Sequence, residues 1–205
     1  MESLQTTQTQ PENAPAGEST PPSDWKRMGL DILETLFLAV VLYFGINAVS
    51  ARVRVDGFSM NPTLENGEYI LVNKLAYKLG APARGDIIVF IFPLDPNQDL
   101  IKRVIGLPGE TVTVQNGKVS VNGVALDEPY IADAPYYNGS WVIGSDQLFV
   151  LGDNRNESKD SHEWGLLPVD NVIGRAIVIY WPPRNWEVLD HYNHASAAQS
   201  TGSQP

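Results

Sequence analysis

Two side chains of this sequence have the types and setting needed for nucleophilic catalysis, and the first is a serine in a constrained turn. Ser59 lies in the stretch Asp56–Leu64, after a β-like run at Val53–Val55 and before a proline. Pro62 fixes its own φ and disfavours the helical region for Asn61, so we expect a rigid turn that holds a nucleophile in place before substrate arrives. Serine also favours ordinary turns, so this pattern alone does not assign a catalytic role.

The second candidate is Lys102, which lies inside an apolar run 43 residues after Ser59. A serine hydroxyl needs a base, and lysine serves as one only when its pKa falls from about 10.4 to about 7–8, which burial can achieve. On a strand, Lys102 would share an apolar face with Leu100 and Val104. The alternative is a lysine that extends from a sheet edge into solvent.

A third stretch, Leu151–Ser161, is polar and follows an apolar strand. The three stretches together resemble the motifs of a known family. In this order they resemble the type I signal peptidases, membrane-bound Ser-Lys endopeptidases that remove signal peptides from exported proteins. The resemblance covers about residues 26–181. The matching motifs are Ser59-Met60-x-Pro62-Thr63-Leu64, Arg84-Gly85-Asp86, Lys102-Arg103 with Gly106-Leu107-Pro108-Gly109, and Gly152-Asp153-Asn154-Arg155 through Asp160-Ser161.

The resemblance implies roles for individual residues. Ser59 would be the nucleophile of an acyl-enzyme mechanism and Lys102 its general base. Ser158 would hydrogen-bond the lysine ammonium and orient it. Arg103 would form a structural ion pair with Asp153. The backbone N–H of Ser59 would be one oxyanion donor; many relatives add a hydroxyl at the position of Gly57, so the second donor stays unassigned.

His162 departs from the family pattern, because many relatives carry an arginine there as the partner of the aspartate at Asp160. If His162 replaces it, the protonated ring makes the ion pair, and the pKa of His162 should rise above about 6.5. The alternative is that His162 is an exposed loop residue and that Arg155 or Lys159 neutralises Asp160.

Substrate is expected to bind as an added strand between the edges Val53–Gly57 and Asp99–Lys102. Residues −1 and −3 of an extended peptide point to the same face, so shallow pockets there would demand small side chains at both positions. The resemblance implies this Ala-x-Ala rule. The expected substrate-contacting residues are Val53, Val55, Asp56, Gly57, Met60, Leu64, Asp99, Leu100 and Ile101.

The composition excludes several classes of site and partner. The chain has 205 residues with 14 basic and 24 acidic side chains, a formal net charge of −10, which argues against nucleic acid as the main partner. It has no cysteine and three scattered histidines, so neither disulfides nor a metal site is expected, and no cofactor is implied. Exported precursors and a lipid bilayer are the expected partners of a monomeric protein.

The elements that must position these residues begin with an apolar helix. Residues 1–24 are polar and Pro-rich and are expected to be a disordered cytoplasmic tail. Residues 25–51 include 17 consecutive uncharged positions, long enough to anchor the chain in a membrane. A cleavable signal peptide is the alternative, because Ala48–Ala51 supplies small residues. Flanking charges do not decide orientation; the resemblance places the N-terminus in the cytoplasm and the following domain outside, across a plasma or thylakoid-type membrane.

From Arg52 onward the pattern is all-β. It predicts a single, mostly antiparallel sheet or partly open barrel over 52–186, with a disordered polar tail at 187–205 and an unassigned loop or hairpin at 127–145. Asn-Gly pairs at 66–67, 116–117 and 122–123 are typical of hairpin turns, and Lys74–Leu79 is expected to be helical.

Two other functions remain open at this point. A self-cleaving Ser-Lys repressor of related fold would need a DNA-binding head, and the N-terminal 50 residues offer a polar tail and an apolar helix instead. A non-catalytic, membrane-tethered β domain would leave the joint presence of Ser59, Lys102 and Ser158 unexplained.

Overall fold

The computed structural model of the protein describes residues 25–189. The predicted N-terminal tail, 1–24, lies outside the described residues, as does most of the predicted C-terminal tail. The chain divides into two compact units, Met1–Tyr43 and Phe44–Pro205. Helix α1, Trp25–Val49, begins in the first unit and ends in the second.

Helix α1 presents apolar side chains to all sides. Leu36, Phe37 and Leu38 are each exposed by more than half. The stretch Arg27–Val49 is 23 residues long with a mean hydropathy of 2.0, and none of its most apolar window is buried. A buried core helix is therefore ruled out for this segment, whereas the length and apolar surface suit a membrane span.

The strands of the second unit form two antiparallel sheets. The strands are β1 Ser50–Arg54, β2 Tyr69–Asn73, β3 Ile87–Phe92, β4 Asp95–Gly106, β5 Thr111–Gln115, β6 Lys118–Val121, β7 Val124–Ala125, β8 Gly139–Val142, β9 Gln147–Leu151, β10 Leu167–Pro168, β11 Val172–Trp181 and β12 Glu187–Val188. The larger sheet has the order β1-β2-β11-β3-β4-β9-β10, with β12 paired to β11, and the smaller has the order β7-β6-β5-β8.

The predicted all-β class with one N-terminal apolar helix is confirmed, with differences in detail. The strands form two sheets instead of one, and the larger is not closed into a barrel. Strand β12 lies beyond the predicted domain end at 186, because Glu187 and Val188 pair with β11. Lys74–Leu79 forms turns instead of a helix. A short helix, α2 Ser161–Trp164, begins at the N-cap Asp160.

The core consists of three apolar clusters that fix the strands around the candidate catalytic residues. Strand β3 is buried on both faces, and Ile88 and Phe90 pack with Val104 of β4 and Val150 of β9. The other face of the larger sheet packs on Met60 and Leu64, which belong to the turn after β1. The third cluster joins β5 and β6 to Phe149 of β9. Strand β4 is thus held firmly where it carries Lys102.

Candidate active site

Ser59 lies in a turn that is anchored on both of its sides. Met60 is 2% exposed and Leu64 is fully buried, so the residues after Ser59 are part of the core. The backbone carbonyl of Ser59 accepts a hydrogen bond of 3.0 Å from the N–H of Asn154, which belongs to the loop after β9. The Asn154 side chain donates to the carbonyl of Phe58 at 3.2 Å. The nucleophile candidate is therefore held by the core and by a distant polar loop.

The structure brings Lys102 and Ser59 into direct contact. Lys102 Nζ donates to Ser59 Oγ at 2.6 Å and to the carbonyl of Ile101 at 3.0 Å. Strand β4 supplies Lys102 opposite Ile88 of β3, so the two candidate groups come from different elements. A distance of 2.6 Å is within reach for direct proton transfer between a hydroxyl and an amine.

The surroundings of Lys102 favour its neutral form. The side chain is only 3% exposed. Burial lowers the pKa of Lys102 to about 8, and the carboxylates of Asp160 and Asp153 oppose this shift. Burial dominates because losing solvent penalises the ammonium ion more than these carboxylates favour it. With this pKa, about a tenth of Lys102 is neutral at pH 7 and about half at pH 8, and the neutral form can accept a proton.

A buried ion pair lies directly beside Lys102. Arg103 donates to Asp153 at 2.8 Å through Nε and at 2.6 Å through Nη2. Thr63, from the turn of Ser59, also donates to Asp153, at 2.5 Å. Arg103 Nη1 reaches the carbonyl of Gly85 at 3.0 Å, so the Arg84-Gly85-Asp86 stretch is a turn beside this pair. The pair links strand β4, the serine turn and the loop after β9.

His162 contacts Asp160, as expected if it replaces the arginine that many relatives carry at this position. His162 Nδ1 lies 2.7 Å from Asp160 Oδ1, and Asp160 Oδ2 accepts from the N–H of Gly152 at 2.9 Å. The hydrogen bond to Asp160 raises the pKa of His162, although partial burial opposes the change. The two cations named as alternatives are engaged elsewhere: Arg155 pairs with Glu128, and Lys159 lies over the ring of Phe92.

Ser158 is near the site but does not make the hydrogen bond predicted for it. Its Oγ is buried and has no hydrogen-bond partner among residues 25–189. It lies against Gly152, where an added Cβ would collide with it and with the carbonyl of Ser59. The Lys102 ammonium donates to Ser59 and Ile101 instead. The prediction that Ser158 holds the ammonium is not supported by this geometry.

A cavity of about 280 Å³ opens beside the Ser59–Lys102 contact, between β1 and the first half of β4. Leu64 was predicted to line it but is fully buried in the core, so that prediction is wrong. Arg54, Asn97 and Gln98 line the cavity and were not predicted. The predicted substrate-contacting residues found there are Val53, Val55, Asp56, Gly57, Met60, Asp99, Leu100 and Ile101.

Sequence reasoning also missed a second buried ion pair and the cap of α2. Arg155 pairs with Glu128 across 27 positions of the chain, at 3.1 Å and 2.7 Å. Asp160 caps α2 by accepting from the N–H of His162, and Glu163 stands at the third position of the helix. An aspartate followed three residues later by a glutamate is a signal that could have found this helix.

Within residues 25–189 no cluster of carboxylate and imidazole groups is placed to hold a metal ion.

Known proteins resemble this chain over most of its length. The family model described as "Signal peptidase, peptidase S26" matches residues 29–181. A signal peptidase I of Leptolyngbya laminosa is 47% identical over 159 residues, which cover 73% of this chain and 78% of that protein. The thylakoidal processing peptidase 1, chloroplastic, of Arabidopsis thaliana is 34% identical over 162 residues, which cover 74% of this chain and 47% of that protein.

Among solved structures, a signal peptidase I from Enterococcus faecalis V583 aligns with a TM-score of 0.43 and 34% identity. The alignment covers 46% of this chain and 95% of that one. The match to the family model extends over about three quarters of the sequence and includes the serine turn, β4 and the loop after β9. This chain therefore belongs to the signal peptidase family, peptidase S26.

Proposed function

We propose that this protein cleaves exported precursors by a Ser-Lys mechanism in which Ser59 is the nucleophile and Lys102 the general base. Family membership supports a signal-peptide-cleaving serine peptidase. The observation that carries the finer proposal is the 2.6 Å contact between Lys102 Nζ and Ser59 Oγ, made by a lysine that is almost fully buried. A buried, neutral amine can take the hydroxyl proton as the nucleophile attacks.

The proposed reaction has two stages. Neutral Lys102 takes the proton of Ser59 Oγ as that oxygen bonds to the scissile carbonyl carbon, and the resulting ammonium protonates the leaving amine when the C–N bond breaks. The acyl-enzyme then reacts with water, whose proton passes to Lys102 and returns to Ser59 Oγ on release of the new carboxylate. The Ser59 N–H is the first donor to the developing oxyanion, as in other acyl-transfer sites.

The cavity supports binding of substrate as an extended strand. Residues Asp99–Lys102 pair with β3 on one side, whereas β4 pairs with β9 only from Arg103 onward. The edge of β4 that faces the cavity can therefore bind a peptide backbone, and the outer edge of β1 lies across from it. Val55, Met60 and Ile101 give the cavity apolar walls, which suits small residues at positions −1 and −3.

Helix α1 supports attachment to a membrane. We propose an uncleaved single span with the N-terminus in the cytoplasm and the β domain on the outer face. The plasma membrane and a thylakoid-type membrane are both consistent with the relatives, since one is named as thylakoidal. The alternative of a self-cleaving repressor is disfavoured by the family match. The alternative of a non-catalytic tethered domain is disfavoured by the family match and by the Ser59–Lys102 contact.

The test is cleavage of a signal-peptide-bearing precursor by detergent-solubilised full-length protein. Ser59→Ala and Lys102→Ala should each abolish cleavage at neutral pH while leaving the circular dichroism spectrum unchanged, because neither group works alone. Matched controls are Ser140→Ala and Lys118→Ala, which remove the same side chains from the smaller sheet. Substantial cleavage by folded Lys102→Ala would overturn the assignment of the base.

A further inference from the structure

The irregular segment 128–137, between β7 and β8, lies against the loop 152–162 and contacts it at several points. The first is the buried ion pair between Glu128 and Arg155, whose side chains are 6% and 0% exposed. Arg155 also donates through Nε to the carbonyl of Gly152 at 3.0 Å. One guanidinium thus ties the segment to the beginning of the loop.

Two further contacts lie farther along the segment. Asn156 accepts from the N–H of Tyr136 at 2.9 Å and donates to the carbonyl of Ala134 at 3.0 Å. The ring of Tyr137 stacks on that of His162, with centroids 3.9 Å apart and planes 6° from parallel. The contacts are therefore spread along the loop from its start to α2.

The segment also reaches the ion pair next to the base. Tyr130 OH donates to Glu128 at 2.8 Å, and the guanidinium carbon of Arg103 lies 3.9 Å from the centroid of the Tyr130 ring. Glu128 therefore accepts from Tyr130 and from Arg155 together. Because Arg103 follows Lys102 on β4, the segment contacts both elements that surround the proposed catalytic pair.

The loop in turn positions the nucleophile. The Asn154 N–H donates to the carbonyl of Ser59, and Gly152 packs so closely on that carbonyl that a Cβ would collide with it. Displacement of Gly152 or Asn154 would therefore move Ser59 relative to Lys102. The contacts form a continuous path from Glu128 through Arg155 to the serine turn.

We propose that segment 128–137 is a clamp that fixes the distance between Ser59 and Lys102, with Glu128 and Arg155 as positioning residues. The proposal rests on the Ser-Lys mechanism stated above. None of the clamp residues lines the cavity beside Ser59. Weakening the clamp should therefore lower kcat and leave KM nearly unchanged. Because loss of folded protein also lowers the apparent kcat at unchanged KM, kcat is counted per folded enzyme.

The principal test is Glu128→Gln in the full-length enzyme. Cleavage of an Ala-x-Ala peptide is measured at a temperature well below the Tm of the variant. A displacement of about 1 Å can cost on the order of a hundredfold, so we expect kcat per folded enzyme to fall at least about tenfold. Glu128→Asp, which keeps the charge, should recover part of the loss. The matched control is Glu110→Gln, because Glu110 also binds an arginine, Arg84, through two hydrogen bonds of 2.9 Å and 2.6 Å.

A second variant guards against failure of Glu128→Gln to fold. Asn156 is exposed, so Asn156→Ala should fold normally while losing both hydrogen bonds to the segment. We expect a kcat reduced about threefold or more, since misaligned reacting groups slow the chemical step. Asn171→Ala, which removes an exposed bond to the carbonyl of Ile91, is its control and should have wild-type kcat.

The outcomes separate this proposal from the mechanism on which it rests. If Ser59→Ala and Lys102→Ala are inactive while folded Glu128→Gln and Asn156→Ala match their controls, the clamp is refuted and the Ser-Lys mechanism stands. If Ser59→Ala still cleaves, both fail. A fall in kcat per folded enzyme that is specific to Glu128→Gln or Asn156→Ala, with KM unchanged, supports the clamp.

Discussion

His162 should make the stability of the loop after β9 depend on pH, and His162→Arg should remove that dependence. His162 Nδ1 lies 2.7 Å from the fully buried carboxylate of Asp160, and the histidine side chain is 17% exposed. The hydrogen bond to Asp160 raises the pKa of His162 against the opposing effect of partial burial. The folded state therefore favours the protonated ring more than the unfolded state does. Arginine would carry the charge at every pH used in the assay.

The sign and size of the effect follow from this geometry. Because the folded pKa is raised, the stabilisation is fully present below the unfolded value of about 6.5 and is lost as pH rises through the folded value. A hydrogen bond to a charged group contributes about 1.5–3 kcal/mol, of which a neutral histidine retains part. We therefore expect a loss of about 1–2 kcal/mol, which corresponds to about 2–8 °C in Tm for a domain of this size.

The assay is Tm measured from pH 5.5 to pH 9 for wild type, His162→Arg and His162→Gln. Wild type should approach the arginine variant at low pH and the glutamine variant at high pH, because glutamine is neutral throughout. The cleavage rate should show the same difference at alkaline pH, where His162→Arg should cleave faster than wild type. At acid pH the two cleavage rates should be nearly equal. Superimposable Tm curves for wild type and His162→Arg would refute the ion pair as a source of stability.

Other predictions concern the buried pair, the tails and metal ions. Asp153→Asn should destabilise the domain by about 3–5 kcal/mol, because it leaves Arg103 buried without its anion. The control is Asp146→Asn at an exposed site, which should change the free energy of unfolding by less than about 0.5 kcal/mol. Equal Tm values for Asp153→Asn and Asp146→Asn would contradict this prediction. Deleting 1–24 should not alter precursor cleavage. Deleting 1–49 should leave a domain that cleaves peptides in detergent; an unfolded product would show that the β domain needs the helix in order to fold. Chelators should not change the rate, and inhibition by EDTA would point to a metal.

The contact between Ser59 and Lys102 could be predicted from the sequence because its signal is the joint order of short motifs. Neither Ser59 nor Lys102 is informative alone, and only folding brings them within hydrogen-bonding distance. The strands with clear apolar patterns, such as β9 and β11, were also predictable. Strand β8 was not, because it begins at an Asn138-Gly139 pair that is typical of a turn.

The remaining errors have physical causes. Leu64 was placed in the cavity because an apolar side chain next to the serine turn suits a core and a pocket equally well; it is fully buried and belongs to the core. The Glu128–Arg155 pair was missed because no periodicity relates a loop carboxylate to an arginine 27 positions away. The role of Ser158 is implied by the resemblance and stays a prediction; within residues 25–189 its hydroxyl has no hydrogen-bond partner and lies against Gly152.

The central claim is that Lys102 acts as a neutral base on Ser59, and the pH dependence of kcat/KM tests it most directly. Burial lowers the pKa of Lys102 to about 8, so kcat/KM for an Ala-x-Ala peptide should fall about tenfold per pH unit below that value and level off above it. Lys102→Ala should show no activity at any pH in the range. An acid limb centred near 6.5, together with cleavage by folded Lys102→Ala, would contradict the account and point to histidine as the base.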